Sequence, residues 1–224
     1  MCQVPTSESI VNPYALRVEG CRIKQCRTFR ATCTSGEQLI FAEALKLRKI
    51  QLETRVSSKR IYDGHILNLR VDEVKLDNGK TAKREIVEHR GATAIVPVLG
   101  DGRVVLVRQY RYAASTELLE IPAGTLEPGE APEDCARREL EEETGYKCKE
   151  MKKMMEIFLA PGYSTEKIHI YLATGLTETK TRMEEDERID VDKVPIATAL
   201  EMVSSGKIQD AKTISGLHVA SRSL

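Results

Sequence analysis

The feature that most constrains the fold is a series of short apolar segments between residues 66 and 121, several of them closed by a tight-turn sequence. Asp77-Asn78-Gly79 and Gly100-Asp101-Gly102 are turn sequences of the kind that joins neighbouring antiparallel strands. Strands and helices do not alternate regularly here, so the pattern does not indicate a doubly wound sheet. The expected strands are residues 66–74, 81–88, 93–99, 104–107 and 118–121.

A helix is expected after a loop at residues 123–130. Pro132 suits the first turn of a helix, and two acidic residues follow it at the positive end of the helix dipole. The helix is predicted to end near Thr144, because Gly145 suits the left-handed position beyond a helix end. The fold class is therefore a mixed α/β (α+β) one. The remaining expected elements are strands at 154–159 and 168–176 and helices at 196–205 and 210–221, with Asp210 as a cap.

The composition excludes several functional classes. Lys+Arg and Asp+Glu both total 34 in 224 residues, and this zero net charge gives no bulk attraction to nucleic acid or to an anionic membrane. No apolar run is long enough to cross a bilayer, and the N-terminus lacks the pattern of a secretory signal. We therefore expect a cytoplasmic protein with neither a nucleic-acid nor a membrane partner.

Residues 1–50 differ in character from the rest of the chain. They hold four of the six cysteines, and no sustained period is present in them. Free thiols are expected, with metal binding or disulfides as alternatives. We expect a flexible extension or an over-extended reading frame, with a helix at 37–55. The predicted domains are residues 1–50 as this extension, 51–90 as a hairpin and dimerisation subdomain, and 91–224 as the main domain.

Three glutamates of the expected helix share one face. Glu139, Glu142 and Glu143 are three and four residues apart, which brings carboxylates together on a helix. A solvated acidic face is the simplest interpretation of such a cluster. A hard divalent cation with oxygen ligands is the alternative. Arg138 can pair with and orient a carboxylate, and Glu130 in the preceding loop can anchor this arginine, so we favour the metal site.

The segment that begins at Gly124 resembles the Nudix box, GX5EX7REUXEEXGU, at every specified position. Leu140 and Tyr146 take its apolar positions. The resemblance implies a Nudix fold, which is a mixed β-sheet sandwiched between helices, with an N-terminal β-hairpin subdomain in this chain. It also implies hydrolysis of a nucleoside diphosphate linked to another group, with Mg²⁺ or alternatively Mn²⁺ as the cofactor. The metal ligands that it implies are Glu139, Glu142, Glu143 and the backbone carbonyl of Ala123.

Four segments outside the box are similar to the ADP-ribose pyrophosphatase group of this family. They are 83–89, 107–111, 159–166 and 210–213. The third has Ala160 where the group usually has serine, and the fourth is interpreted mainly as the start of a helix. In this group arginines contact substrate phosphates or the terminal ribose, and guanidinium groups form paired hydrogen bonds with phosphate. Taken singly, each arginine would be an ordinary surface charge. The substrate-binding candidates are Arg84, Glu85, Arg111, Gly124 and Ser164.

An acidic segment at residues 183–187 matches the position of a mobile glutamate loop in this group, which helps to activate water. Whether the group that accepts the proton of water lies in this loop or in the helix is left open. A solvated charge run is the alternative for the loop. The catalytic candidates are Arg138, Glu142, Glu143, Glu185 and Glu187.

The predicted function is Mg²⁺-dependent hydrolysis of ADP-ribose to AMP and ribose 5-phosphate. The alternatives are another nucleotide sugar of the GDP-mannose type, a dinucleotide, or a non-catalytic nucleotide-sensing domain. The resemblance further implies a homodimer that pairs through the N-terminal hairpin. The chain has no tryptophan, so an aromatic contact with the base would come from Tyr62, Phe41 or another residue.

Overall fold

The computed structural model describes residues 52–179 and 189–224. These residues form three β-sheets, a 3-10 turn at Tyr112–Ala114 and three α-helices. The helices are α1 (Pro132–Thr144), α2 (Ile196–Ser204) and α3 (Ala211–Ala220). The strands are β1 (Thr54–Asp63), β2 (Asn68–Lys75), β3 (Thr81–Glu88), β4 (Ala92–Pro97), β5 (Arg103–Arg111), β6 (Thr116–Glu120), β7 (Ala123–Thr125), β8 (Tyr146–Phe158), β9 (Lys167–Glu178) and β10 (Asp190–Pro195).

The N-terminal sheet contains the predicted hairpin and one further strand. β2 and β3 pair antiparallel, and the turn between them closes with a hydrogen bond of 3.0 Å from the Gly79 amide to the Leu76 carbonyl. β1 adds to the other side of β2 and is exposed along its whole length. The helix predicted at 37–55 is wrong at Thr54 and Arg55, because these residues begin β1 and pair with β2. Leu52 and Glu53 are not helical either, and residues 37–51 lie outside the described residues.

The central sheet is mixed, in the order β7-β4-β9-β8. β4 runs parallel to β9, whereas β7 pairs antiparallel with β4 and β8 antiparallel with β9. The first three residues of the predicted loop at 123–130 therefore form a short strand. The Ile95 amide donates to the Pro122 carbonyl at 2.9 Å, so the pairing with β4 begins one residue before β7. This pairing fixes the backbone that leads from Pro122 into the loop.

A third sheet has the order β10-β5-β6. β5 and β6 correspond to predicted strands at 104–107 and 118–121, although β5 continues to Arg111. β10 was not expected from the sequence. It pairs with β5 from Asp190 opposite Arg108 to Pro195 opposite Arg103, and α2 follows it directly.

Helices cover both faces of the central sheet. Ile95 of β4 packs with Ala136 and Leu140 of α1 in one buried cluster. Val96, its neighbour in the strand, packs with Leu217 of α3 in the other. Successive side chains of a strand point to opposite faces, so one strand contributes to both cores. The predicted fold class, a mixed β-sheet sandwiched between helices, is confirmed.

The helix ends follow the local sequence. Gly145 adopts a φ of +70° after α1, and its amide donates to the Glu141 carbonyl at 3.0 Å. Asp210 caps α3, where its carboxylate accepts from the Thr213 amide at 2.9 Å. The predicted bounds of all three helices are confirmed to within about one residue. Within residues 52–179 and 189–224, no helix has the length and hydropathy to span a membrane.

Candidate active site

The backbone of Ala123 lies at the start of the candidate site. In an antiparallel pair, alternate residues direct both backbone groups toward the partner strand. Because the Ile95 amide bonds to the Pro122 carbonyl, the next residue, Ala123, directs its own amide and carbonyl away from β4. The Ala123 amide donates to the Glu143 carboxylate of α1 at 3.1 Å. The Ala123 carbonyl therefore leaves the sheet on the edge where α1 presents carboxylates.

Arg138 joins the loop to α1. Its Nε and Nη2 donate to the two carboxylate oxygens of Glu130, at 2.9 and 3.1 Å. Its Nη1 donates to Glu139 at 2.7 Å and to Glu142 at 3.0 Å. One guanidinium thus holds three carboxylates, and this places Glu139 and Glu142 against the same nitrogen atom.

This arrangement changes the acidity of the groups involved. The hydrogen bonds from Arg138 hold the pKa of Glu130 at about 2, against the usual 4.5, and the Glu127 amide adds a hydrogen bond of 3.0 Å to the same carboxylate. The pKa of Arg138 is raised, mainly by the bonds to Glu130. Both partners therefore stay charged across the physiological range, and the pair keeps its geometry there.

Glu143 and Glu139 lie against the backbone of the loop. Glu143 is only 4% exposed and approaches the strand through the Ala123 amide. Glu139 lies so near Gly124 that a Cβ added there would overlap the Glu139 carboxylate. Glycine at position 124 therefore leaves room for the Glu139 carboxylate beside the loop.

The donor set fits a hard divalent cation. Glu139, Glu142 and Glu143 supply carboxylate oxygens from one helix, and Ala123 supplies a carbonyl from the facing strand. In the part of the chain that the structure describes, no group of three His, Cys, Asp or Glu side chains already surrounds one point. Glu139 and Glu142 contact Arg138, and Glu143 contacts the Ala123 amide.

A cavity of about 330 Å³ opens beside the loop. Ala123 and Gly124 form part of its wall, so it adjoins the carboxylates of α1. On another side it is lined by charged residues from three separate elements. These are Arg111, Glu120, Asp210 and Lys212. Arg111 and Lys212 offer positive charge to an anionic group in this cavity, beside the α1 carboxylates that would hold a divalent cation.

A separate cavity has a volume of about 490 Å³. His65, His89 and Pro128 belong to its wall. His89 Nδ1 lies 3.9 Å from the carboxylate of Glu166, which lines the first cavity.

The sequence profile of the NUDIX domain matches residues 87–214, more than half of the chain. This chain belongs to the Nudix family. A profile described as the nucleoside diphosphate sugar hydrolase N-terminal domain matches residues 53–87, which contain all of the N-terminal sheet except its last residue, Glu88. The predicted family is thereby confirmed, and the protein is a Nudix hydrolase.

Several named relatives cover most of this Nudix chain. It is 42% identical to ADP-ribose pyrophosphatase of Bacillus subtilis over 163 residues, 72% of this chain and 88% of the relative. It is 40% identical to the methanol dehydrogenase activator of Bacillus methanolicus, over 74% of this chain and 91% of the relative. A GDP-mannose pyrophosphatase of Escherichia coli is 39% identical to this chain over 142 residues, which are 59% of this chain and 74% of the relative. The fold of this chain is similar to that of a solved ADP compounds hydrolase, with a TM-score of 0.71 and 22% identity. The match covers 79% of this chain and 96% of the solved one.

The structure brings some predicted substrate-binding residues to the Nudix loop and leaves others elsewhere. Arg111 and Gly124 line the first cavity. Arg84 instead pairs with Glu53 on the N-terminal sheet, with Nε and Oε2 2.9 Å apart, and Glu85 is exposed on the same strand. Neither lines the first cavity within this single chain.

Ser164 also lies outside the cavity wall, although its segment contributes to it. Its Oγ accepts from the amide of Glu166 at 3.1 Å, and Glu166 lines the cavity. The segment 160–165 is held to β3 by a hydrogen bond of 2.8 Å from the Val87 amide to the Tyr163 carbonyl. Glu185 and Glu187 lie outside the described residues, so their predicted role stays a prediction.

Three residues of the cavity wall were missed from the sequence. They are Glu120, Glu166 and Lys212. For Glu120 a signal was present, because a carboxylate between Leu119 and Ile121 interrupts the apolar residues of the predicted strand 118–121. Lys212 lies in the segment 210–213, which is similar to the same group but was interpreted mainly as a helix start, and its partner Glu120 is 92 residues away in the sequence.

Proposed function

We propose that this Nudix hydrolase cleaves the diphosphate of ADP-ribose to give AMP and ribose 5-phosphate, with Mg²⁺ as its cofactor. The geometric observation that carries the proposal is one continuous wall. It runs from the α1 carboxylates through Ala123 and Gly124 to Arg111 and Lys212. Such a wall suits a ligand that has a diphosphate at one end and further polar groups at the other.

The relatives support this choice of substrate. Two of them, 42% and 38% identical, carry the name ADP-ribose pyrophosphatase, and this chain covers 88% and 80% of their lengths. The GDP-mannose pyrophosphatase is matched over a smaller share of this chain, 59%. We therefore rank GDP-mannose below ADP-ribose as a substrate.

The cation would be held by Glu139, Glu142, Glu143 and the Ala123 carbonyl. When bound, a divalent cation neutralises charge on a diphosphate and lowers the pKa of a coordinated water. Water adds to one phosphorus, the P–O bond of the bridging oxygen breaks, and a carboxylate accepts the proton of the water. The acceptor is a glutamate of α1, or Glu185 or Glu187.

The role of Arg138 in this scheme is to hold the carboxylates. Its hydrogen bonds to Glu130, Glu139 and Glu142 fix the positions of these carboxylates before a cation binds. Glu130 itself is fully engaged with Arg138 and the Glu127 amide, so it acts as an anchor.

We also propose that the protein is a homodimer paired through its N-terminal sheet. β1 is an edge strand that is exposed along all ten residues, with Val56 and Ile61 among its exposed apolar side chains. An exposed edge strand with apolar side chains is suited to pairing with a second chain. Size-exclusion chromatography with light scattering checks this, and a monomeric mass would contradict it. The domain limits and the cytoplasmic location stay predictions.

A substrate panel tests the proposed activity. ADP-ribose, GDP-mannose and a dinucleotide are each incubated with the protein and Mg²⁺, and the nucleoside monophosphate released is quantified. We expect the highest kcat/KM with ADP-ribose. Preference for GDP-mannose or for the dinucleotide would contradict the choice of substrate. Tight binding of ADP-ribose with no release of AMP would favour the sensing domain instead.

A further inference from the structure

Glu120, the last residue of β6, is a carboxylate buried in the wall of the first cavity. It is 1% exposed and lies between the buried residues Leu119 and Ile121. Burying a carboxylate is costly unless it is paired, and even a well-paired ion group is often no more stable than apolar residues of the same volume. The presence of this charge is therefore poorly explained by stability.

The contacts of Glu120 are with two cations that line the same cavity. Its Oε1 accepts from Nε of Arg111 at 2.8 Å, and its Oε2 accepts from Nη2 of the same guanidinium at 2.7 Å. Its Oε2 also contacts the Lys212 ammonium, which is held from the other side by Asp210 at 3.0 Å. One buried carboxylate thus fixes one cation from β5 and another from α3.

The pairing leaves a defined edge of Arg111 available. Because Glu120 engages Nε and one hydrogen of Nη2, the Nη1 amino group is left outside this pair. The Arg111 side chain is 42% exposed and lines the cavity, so its remaining donors can reach a ligand there. A guanidinium held by two bonds cannot rotate freely, and this reduces the entropy that would be lost when a ligand binds.

We propose that Glu120 is a positioning residue that holds Arg111 in the orientation in which this guanidinium receives the anionic part of the substrate. Glu120 does not itself contact the substrate. This inference rests on the proposed function for the identity of the ligand, ADP-ribose.

A double-mutant cycle tests whether Glu120 acts through Arg111. Glu120→Gln and Arg111→Ala are made singly and together, and KM and kcat for ADP-ribose are measured. We expect either single change to raise KM roughly ten-fold, with a smaller effect on kcat, because a charge-assisted pair is lost. The double variant should be no worse than Arg111→Ala. Effects of the two changes that multiply, or an unchanged KM in Glu120→Gln, would overturn the proposal.

Glu117→Gln is the matched control. Glu117 is in the same strand, is exposed and undergoes the same chemical change. Its KM should equal that of the wild type. A rise like that of Glu120→Gln would show that the loss of any charge in β6 matters, and this would overturn the specific role of Glu120.

Arg111→Lys keeps the proposal testable if Glu120→Gln does not fold. Lysine keeps the positive charge but cannot form the two-point pair with a carboxylate. If orientation matters, KM in Arg111→Lys should rise nearly as far as in Arg111→Ala. A KM equal to that of the wild type would overturn the proposal, because charge would then suffice.

Binding measurements separate this proposal from the proposed function. The same cycle is run on the dissociation constant for ADP-ribose, by calorimetry in EDTA. Hydrolysis without coupling between positions 120 and 111 would overturn the Glu120 proposal and leave the activity standing. Coupled binding without hydrolysis would overturn the activity and support Glu120. A wild type that neither binds nor hydrolyses ADP-ribose would overturn both.

Discussion

The carboxylate of Glu130 and the guanidinium of Arg138 form a two-point pair between the loop and α1, with oxygen–nitrogen distances of 2.9 and 3.1 Å. The same guanidinium extends to Glu139 at 2.7 Å, and thereby links the loop to the acidic face of the helix. Position 130 should therefore affect both stability and activity, although Glu130 lies outside the proposed ligand set.

The first prediction concerns Glu130→Gln and pH. Because the folded pKa of Glu130, about 2, is below the usual 4.5, the pair stabilises the fold fully above pH 4.5. This contribution is lost as the pH falls from about 4.5 toward 2. Glu130→Gln should lower the free energy of unfolding by about 1.5 kcal/mol at pH 7, and the difference from the wild type should shrink in acid.

Urea unfolding at pH 7, 4 and 3 checks this prediction. Glu127→Gln is the matched control, since Glu127 is an exposed neighbour in the same loop. It should unfold like the wild type at every pH. A constant difference between wild type and Glu130→Gln from pH 7 to pH 3 would count against the pair as the source of the stability.

The second prediction concerns Glu143→Gln. Glu143 is buried and approaches Ala123 through a hydrogen bond of 3.1 Å, and a glutamine oxygen can accept the same bond. The fold should therefore survive, whereas a ligand charge and a candidate proton acceptor are removed. We expect kcat to fall by about 10²–10⁴-fold.

Activity assays with Mg²⁺ and circular dichroism of the same sample test the Glu143 prediction. Glu141→Gln changes a glutamate of the same helix whose partner is Lys147, at 3.2 Å. It should keep kcat within a few-fold of the wild type. An unchanged kcat in Glu143→Gln would remove Glu143 from the metal site.

The third prediction concerns Gly124→Ala. The added methyl group would overlap the Glu139 carboxylate, which is the end of a flexible side chain and can move away. Stability should change little, but Glu139 would leave its position beside Arg138. A misplacement of about 1 Å in a group that holds the reacting atoms is expected to lower kcat/KM by roughly 10²-fold.

Gly100→Ala is the control for this change. A Cβ at Gly100 meets no atom within 4 Å, so both stability and activity should match the wild type. Measuring kcat/KM beside the thermal midpoint separates the two effects. If Gly124→Ala loses its fold together with its activity, the displacement of Glu139 is not the cause.

The sequence was sufficient for the Nudix helix and for the contacts of Arg138. Pro132 and Gly145 mark the two ends of α1, the four-residue spacing places Glu142 beside Arg138, and Glu139 is the neighbour of Arg138 in the sequence. These features are local. Each depends on residues within one helix or on the loop that immediately precedes it.

What the sequence could not provide depends on distant pairing. β1 is exposed at every position, so it has no alternation of apolar and polar residues and is held by backbone pairing with β2. The wall of the first cavity combines Arg111, Glu120 and Lys212 from three elements. Of these three, only Arg111 was predicted to bind substrate. Lys212 also lies in a segment similar to the same group, but that segment was interpreted as a helix start. The proximity of Lys212 follows from how α3 packs on the central sheet.

The last prediction concerns removal of divalent cations. Dialysis against EDTA should abolish release of AMP from ADP-ribose, and added Mg²⁺ should restore it. Without a cation, nothing between the α1 carboxylates and the diphosphate neutralises their negative charges.

A second readout of the metal site does not depend on activity. Mn²⁺, titrated into the metal-free protein and followed by paramagnetic resonance, should bind the wild type and bind Glu139→Gln roughly ten-fold or more weakly, because the variant lacks one charged ligand. Glu133→Gln, on the same helix but paired with Arg137 at 2.8 Å, should bind Mn²⁺ like the wild type. Equal Mn²⁺ affinity in Glu139→Gln and Glu133→Gln, or full turnover in EDTA, would show that these carboxylates do not form the metal site.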